Sequence, residues 1–239
     1  MAWYREWFGE DYLELYAHRD LEEAERHVAF VEHALAGPRP RAVLDLACGA
    51  GRHTEALRRR GLRALGVDLS LTLLAHNPRL PKVAGDMRGL PFSAGSFDWV
   101  LNFFTSFGYF AEERENFRVL EEIVRVLSPG GRFLIDLLNL DRALAHLEPH
   151  ETVVAGGREI GIDRWYDAGA RRLNKRIRVA APGRPARAFL ESVRAYTAEE
   201  ATIGLRWAGL EVDALYGGFQ GEPYGRDSER LILVGHRPA

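Results

Sequence analysis

VLDLACGAGRH, residues 43–53, decides how the rest of the chain is read. An apolar run carrying one carboxylate, Asp45, breaks into Gly49-Ala50-Gly51, and the TEALR that follows (residues 54–58) has helical character. The pattern is a strand, a glycine turn and a helix start. Gly49 and Gly51 tolerate positive φ and let a ligand approach the backbone, while a helix start offers N–H groups without intrahelical partners. A pyrophosphate site of this kind asks for G-x-G-x-x-G, and Thr54 stands where the third glycine belongs. Asp45 at the mouth of the turn would repel phosphate and attract a cation, which suits a sulfonium ion with a free amino group.

Outward from this stretch, residues 54–60 read as a helix ending at Gly61, and residues 62–67 as a strand closing on Asp68-Leu69-Ser70. Asp68 lies 17 residues after Gly51, where an acid ending the second strand of a nucleoside-binding sheet grips ribose hydroxyls. Such charge-assisted hydrogen bonds contribute roughly 1.5–3 kcal/mol each. Residues 82–85 form a short strand ending in Asp86-Met87, an acceptor for an exocyclic adenine amine beside a side chain that packs on the ring. FDWVLNFF, residues 97–104, is a buried strand with Asn102 and Phe103 at its ligand end, followed by the loop TSFGYF, which contains Tyr109. Phe117, Leu120, Val124 and Leu127 repeat at helical spacing, SPGG (residues 128–131) stops that helix, and residues 132–138 form a strand carrying Asp136. Alternating strands and helices make a doubly wound parallel α/β sheet the economical fold, with Asp45, Asp68, Asp86 and Asp136 gathered along one edge.

The two flanking regions read differently. Residues 3–16 concentrate Trp3, Tyr4, Trp7, Phe8, Tyr12 and Tyr16, residues 21–36 have helical spacing, and GPRP (residues 37–40) ends that helix. The aromatics read either as packing or as a lid whose tyrosine hydroxyls, with Arg19, reach the ligand. From residue 153 to 196 the period changes to two, in pieces at 158–166, 173–179 and 188–196 separated by residues 167–169 and Pro182-Gly183, which predicts a three-stranded antiparallel insertion. Its ten bases against four acids leave it near +6, read as a solvated face or as a surface for an anionic substrate, a partner subunit or RNA. Thr197 and Glu200 have capping-box spacing for a helix to Ala208, and strands follow at 211–216 and 231–235. The organisation expected is an N-terminal helical lid (1–36), a cofactor-binding core (37–150), the β insertion as substrate cover or dimer contact (151–196), and a closing part of the core (197–239).

With 239 residues, 46% hydrophobic and 28% charged, the chain supports one sizeable core. A net charge of -2 provides no overall field toward nucleic acid or membrane, and no apolar run approaches the roughly 18 residues of a spanning helix. Residues 1–10 lack a signal-peptide apolar region, so a soluble, cytoplasmic protein is expected. The single cysteine, Cys48, excludes an intrachain disulfide and a cysteine-rich metal site and reads as a small turn residue; no metal is expected.

Taken together the sequence resembles the class I S-adenosylmethionine-dependent methyltransferases over nearly its whole length. DLACGAGRH looks like the first motif of that family, GVDLS its second-strand acid, GDM its adenine-contacting pair, FDWVLNFF its fourth strand and RVLSPGGRFLID its fifth. YTAEEATIGLRWAGLEVDALYG looks like the helix and sixth strand that close the domain, and WYREWFGEDYLELY with TSFGYF resembles a bacterial small-molecule subgroup. Ala47 replaces a glycine often found in the first motif. The resemblance implies a Rossmann-like seven-stranded sheet with the last strand antiparallel and S-adenosylmethionine as cofactor. It implies cofactor contacts from Asp45, Ala47, Gly49, Gly51, Asp68, Leu69, Asp86, Met87, Asn102 and Phe103, with Tyr4 and Tyr12 from the lid.

It further implies methyl transfer to an N or O atom of a small metabolite entering beneath Tyr109. Positioning supplies roughly 7–11 kcal/mol in such a displacement, against about 10²- to 10⁴-fold from a general base. His53 and Tyr109 are the candidates for catalytic groups, with Asn139 and Tyr224 as further polar residues near the expected cleft. No Asn-Pro-Pro-Tyr-like sequence follows the fourth strand, which argues against DNA-base amines, and the fifth strand lacks the Glu-x-Ser of quinone C-methyltransferases. Those enzymes, a nicotinamide oxidoreductase and a non-catalytic RNA-interacting module are the alternatives. A homodimer is compatible with the insertion.

Overall fold

The four residues of β1 (Val43–Leu46) are all buried, as a strand covered on both faces must be. In the computed structural model, which describes residues 2–181 and 184–239, β1 is an interior strand of a seven-stranded sheet. The turn expected at Pro182-Gly183 falls outside those residues. Two short helices, α1 (Tyr4–Trp7) and α2 (Glu10–Leu15), and the longer α3 (Leu21–Ala34) precede β1. Then come α4 (Arg52–Arg59), β2 (Ala64–Asp68), α5 (Leu71–Ala75), β3 (Lys82–Ala84), β4 (Phe97–Asn102), α6 (Glu113–Val126), β5 (Leu127–Leu138) and α7 (Leu140–Ala145). After the insertion, α8 (Ala198–Ala208), β10 (Glu211–Tyr216) and β11 (Arg230–His236) complete the sheet. The strand order is β10-β11-β5-β4-β1-β2-β3, and β11 is antiparallel to both neighbours. The order reverses between β1 and β4, so their carboxyl ends open the crevice in which such sheets hold ligands.

Strands alternate their side chains between two cores. In β11, Leu231 and Leu233 face α6 and α8, while Ile232 and Val234 join Val28, Val31 and Leu57 of α3 and α4. The capping box that starts α8 is present, with Thr197 and Glu200 bonding each other's backbone N–H, and Gly209 closes the helix at φ 98°. No helix among the described residues is long and apolar enough to cross a membrane.

The insertion has four strands, not three: β6 (His150–Ala155), β7 (Arg158–Asp167), β8 (Arg172–Ala181) and β9 (Arg184–Arg194). The missed strand is an edge strand whose residues alternate between exposed and half-buried, and its Val154 is 76% exposed beside Val153, which blurs the apolar pattern. Gly156-Gly157, both at positive φ, make the two-residue turn into β7. The insertion's apolar face shares a cluster with the N-terminal segment: Trp7 and Leu15 pack with Ile160, Ile162, Ile177 and Phe189. Much of its positive charge is paired. Arg158 and Arg187 meet Asp11, Arg164 meets Glu151, Arg178 meets Asp163, and Arg171 and Arg194 meet Glu200.

Candidate active site

The carboxyl ends of β1, β2 and β4 form the floor of a cavity of about 210 Å³, and the N-terminal segment forms its roof. Ala47 (φ 61°), Gly49 (φ 56°) and Gly51 (φ 95°) put three left-handed residues into one turn, which exposes main chain toward the cavity. The Asp68 carboxylate ties this turn to β2 by accepting N–H bonds from Gly49 and Ser70, both 2.8 Å. The approach of β2 depends on Gly66, where a Cβ would stand 2.5 Å from Cys48 Sγ and 2.9 Å from Thr54 Oγ1. Burial pushes the Cys48 thiol up, in keeping with its place as a packed turn residue.

Asp45 is 1% exposed and accepts from Thr54 Oγ1 at 2.6 Å. Thr54, notable in the sequence only for not being glycine, is therefore the donor that orients this carboxylate. Burial raises the Asp45 pKa to about 6, so a cation entering the cavity would favour the ionised form. A sulfonium and ammonium ligand fits that wall, and the oriented Asp68 carboxylate fits a diol.

Asp45, Ala47, Gly49, Asp68, Leu69, Asp86, Met87, Phe103, Tyr4, Tyr12, His53, Tyr109 and Arg19 all line the cavity. The oxygens of Asp86 are already engaged by Arg88: Oδ1 accepts from its backbone N and Nε at 3.0 Å, Oδ2 from its guanidinium at 2.6 Å. The Arg88 bonds hold the Asp86 carboxyl below its usual range.

Several expected residues stand elsewhere. Gly51 is the N-cap of α4, and a Cβ there would lie 2.9 Å from Leu80 and Lys82 side-chain atoms rather than against a ligand. Asn102 turns its amide to the Leu46 carbonyl (3.0 Å), leaving its Oδ1 buried without a partner among the described residues. Asn139 donates to the carbonyls of Gly225, Arg226 and Ser228 and accepts from the Tyr224 hydroxyl, so both residues tie down the loop before β11. Asp136 is fully buried and does not join the other acids. It accepts from Arg230 Nε (2.7 Å) and from the backbone N of Phe104 (2.7 Å). That pair pins a turn in which Phe104 and Thr105 both have φ 56°, a strained geometry for non-glycine residues, and the turn sets the Phe104 ring on the cavity wall.

His53 is 5% exposed, stacks on Phe103 (4.0 Å between centroids) and shares a 3.1 Å hydrogen bond with His27 of α3. Burial keeps both imidazoles neutral, lowering His27 to about 4 and His53 well below its ordinary value. The sequence showed no signal for His27, which sits within the apolar stripe of α3 beside Ala24, Val28 and Val31. Tyr109 is packed against Trp3 and Phe8, and burial raises its pKa, so its hydroxyl keeps its proton.

The roof is held from the insertion. Trp7 Nε1 donates to Glu191, and Asp11 accepts from Arg158 (2.8 Å) and Arg187 (2.6 Å). Arg19 reaches the cavity beside Tyr12, its Nη1 3.4 Å from that hydroxyl.

The methyltransferase domain family matches residues 44–135. The chain is 30% identical over 203 residues to the cypemycin N-terminal methyltransferase of a Streptomyces species, covering 81% of this chain and 82% of that protein. A shorter match, 39% identical over 95 residues, joins it to the demethylmenaquinone methyltransferase of Mycolicibacterium paratuberculosis, over 39% of this chain and 40% of that one. Among solved structures, the sugar N-methyltransferase KedS8 of a Streptoalloteichus species superposes with a TM-score of 0.73 at 25% identity, over 97% of this chain and 94% of the other. Agreement across most of the chain, rather than at the glycine turn alone, makes this protein a member of the class I S-adenosylmethionine-dependent methyltransferases, an enzyme with S-adenosylmethionine as its cofactor.

Proposed function

We propose that the enzyme transfers a methyl group to a nitrogen atom of a small acceptor held between the β4 loop and the aromatic roof. The observation that carries this reading is the continuity of the cavity, which joins the glycine turn to Tyr4, Tyr12 and Tyr109 without an intervening wall. In it, Asp68 and Leu69 hold the ribose, Asp86 and Met87 the adenine, Asp45 with Gly49 the amino end, and Arg19 the carboxylate of the methionyl arm. Once bound, the cofactor supplies a methyl group already activated on sulfonium.

What remains for the chain is to align the acceptor and exclude water. His53 is neutral and a weak base, and Tyr109 stays protonated as a hydrogen-bond donor, so alignment, contributing roughly 7–11 kcal/mol, outweighs base catalysis. Nitrogen is favoured over carbon by the breadth of the matches. The relatives named for nitrogen match across most of their length, and the demethylmenaquinone enzyme over two-fifths.

Calorimetry with S-adenosylhomocysteine tests the cofactor assignment. Asp68→Ala removes two charge-assisted bonds of roughly 1.5–3 kcal/mol each and should weaken binding about 10²- to 10⁴-fold; unchanged affinity would sink the ribose role. Incubation with methyl-labelled cofactor and a panel of amine metabolites tests the acceptor, and label recovered on carbon or oxygen would overturn nitrogen.

A further inference from the structure

A second groove, of about 520 Å³, runs between α6 and α8 over β5. Phe117, Leu120, Ile135, Leu205 and Leu233 line it. At its rim Trp207 is 80% exposed and Ile203 39% exposed, although both are large apolar side chains. An exposed tryptophan beside an apolar groove is the composition of an interaction site, because indole burial removes 150–250 Å² from water by general magnitude.

The outward stripe of α8 reads Glu199, Ile203, Arg206, Trp207, four residues within about 100° of one helix face. The ion pairs of α8 run inward through Glu200 to Arg171 and Arg194, which leaves Glu199 and Arg206 without one among the described residues. Acid therefore stands at one end of the stripe, a branched aliphatic side chain in the middle, and base with indole at the other end. We propose that this face is a homodimer interface in which two α8 helices pack antiparallel, with Trp207 of each copy seated in the groove of the other.

The pattern selects that occupant. With a rise of 1.5 Å per residue, setting Ile203 on the two-fold axis places Glu199 about 6 Å away, level with the partner's Trp207 and one residue from the partner's Arg206. Two equivalent ion pairs then flank an apolar centre, as an isologous contact requires. A parallel arrangement would oppose Glu199 to its own copy. The groove wall contributed by α6 widens the contact beyond a single helix.

Sedimentation equilibrium over roughly 1–100 μM tests the proposal. The native chain should associate to a dimer, and Trp207→Glu should raise its dissociation constant at least about tenfold, as loss of a central aromatic anchor does, while S-adenosylhomocysteine affinity and the far-UV circular dichroism spectrum stay unchanged. Glu199→Arg and Arg206→Glu should each weaken the dimer, and the double variant should restore it. A chain that stays monomeric throughout overturns the proposal, as does a dimer insensitive to Trp207→Glu. A monomer stabilised by small apolar dyes would assign the groove to a small ligand and overturn it as well.

Discussion

The floor and the roof of the cavity are built by opposite means. The floor spans residues 45–104 and is shaped mostly by main chain: left-handed turns, N–H groups caught by Asp68, and a β2 strand brought close by Gly66. The roof is fifteen or so N-terminal residues of side-chain packing, held by partners far along the chain, Trp7 by Glu191 and Asp11 by Arg158 and Arg187. A floor made of backbone geometry fixes one ligand and tolerates little change. A roof made of side-chain pairs can change one residue at a time while the floor stays as it is.

The largest effect should come where α3 packs behind the floor, at His27 of α3 and His53 of α4. His27 titrates near 4 in the fold against about 6.5 unfolded, so as pH falls below about 6.5 the unfolded chain takes up the proton first and stability is lost until about pH 4. Asp45 works the other way, since its raised pKa makes protonation between about 6 and 4 favour the fold. A variant therefore isolates the histidine. Urea titrations from about pH 7 to pH 4 should show His27→Gln losing about 3 kcal/mol less than the native chain; parallel pH profiles would refute the buried neutral pair.

Next in size is a break in the floor. Gly66→Ala sets a methyl group against Cys48 and Thr54, and overpacking of this kind costs about 1–3 kcal/mol. Thermal melts should show that loss, and calorimetry a weakened S-adenosylhomocysteine complex, because the displaced residues belong to the turn. If the midpoint and affinity both hold, the close approach of β2 is not what shapes the turn.

A smaller effect is expected in the roof. Asp11→Ala removes the common acceptor of Arg158 and Arg187, the latter exposed, so about 1 kcal/mol is at stake. Once the acceptor is known, steady-state kinetics should show its KM rising several-fold with S-adenosylhomocysteine affinity unchanged. Equal losses of both would mean that floor and roof are not separable.

The same division governs what could be read from the sequence. β1, the glycine turn, β2, the α8 capping box and both final strands follow from local patterns, and the structure places them within a few residues of expectation. The acids at strand ends were harder, because a carboxylate near the end of a strand has the same local signature whether it meets a ligand or an arginine 94 residues away. Asp136 proved to be the second kind, through Arg230. Asn139 and Tyr224 were drawn to the cleft by polarity but bond to each other and to a loop. His27 was hidden by helical spacing, since a histidine in an apolar stripe shows no sign of the ring stacked above it until α3 and α4 are docked. The first strand of the insertion was lost to its own edge position.

The clamp between Asp11 and the arginines of β7 and β9 also bears on inheritance. Residues 11 and 187 are remote on the gene but adjacent in the fold, so the roof and the sheet that holds it are one structural unit interrupted by the core. A recombination that exchanges the N-terminal arm alone would set an acidic tongue against a sheet that has lost its matching cations, or the reverse. The two distant segments should therefore move as a linked pair, and grafts between relatives that carry both will keep a closed roof where grafts carrying one will not.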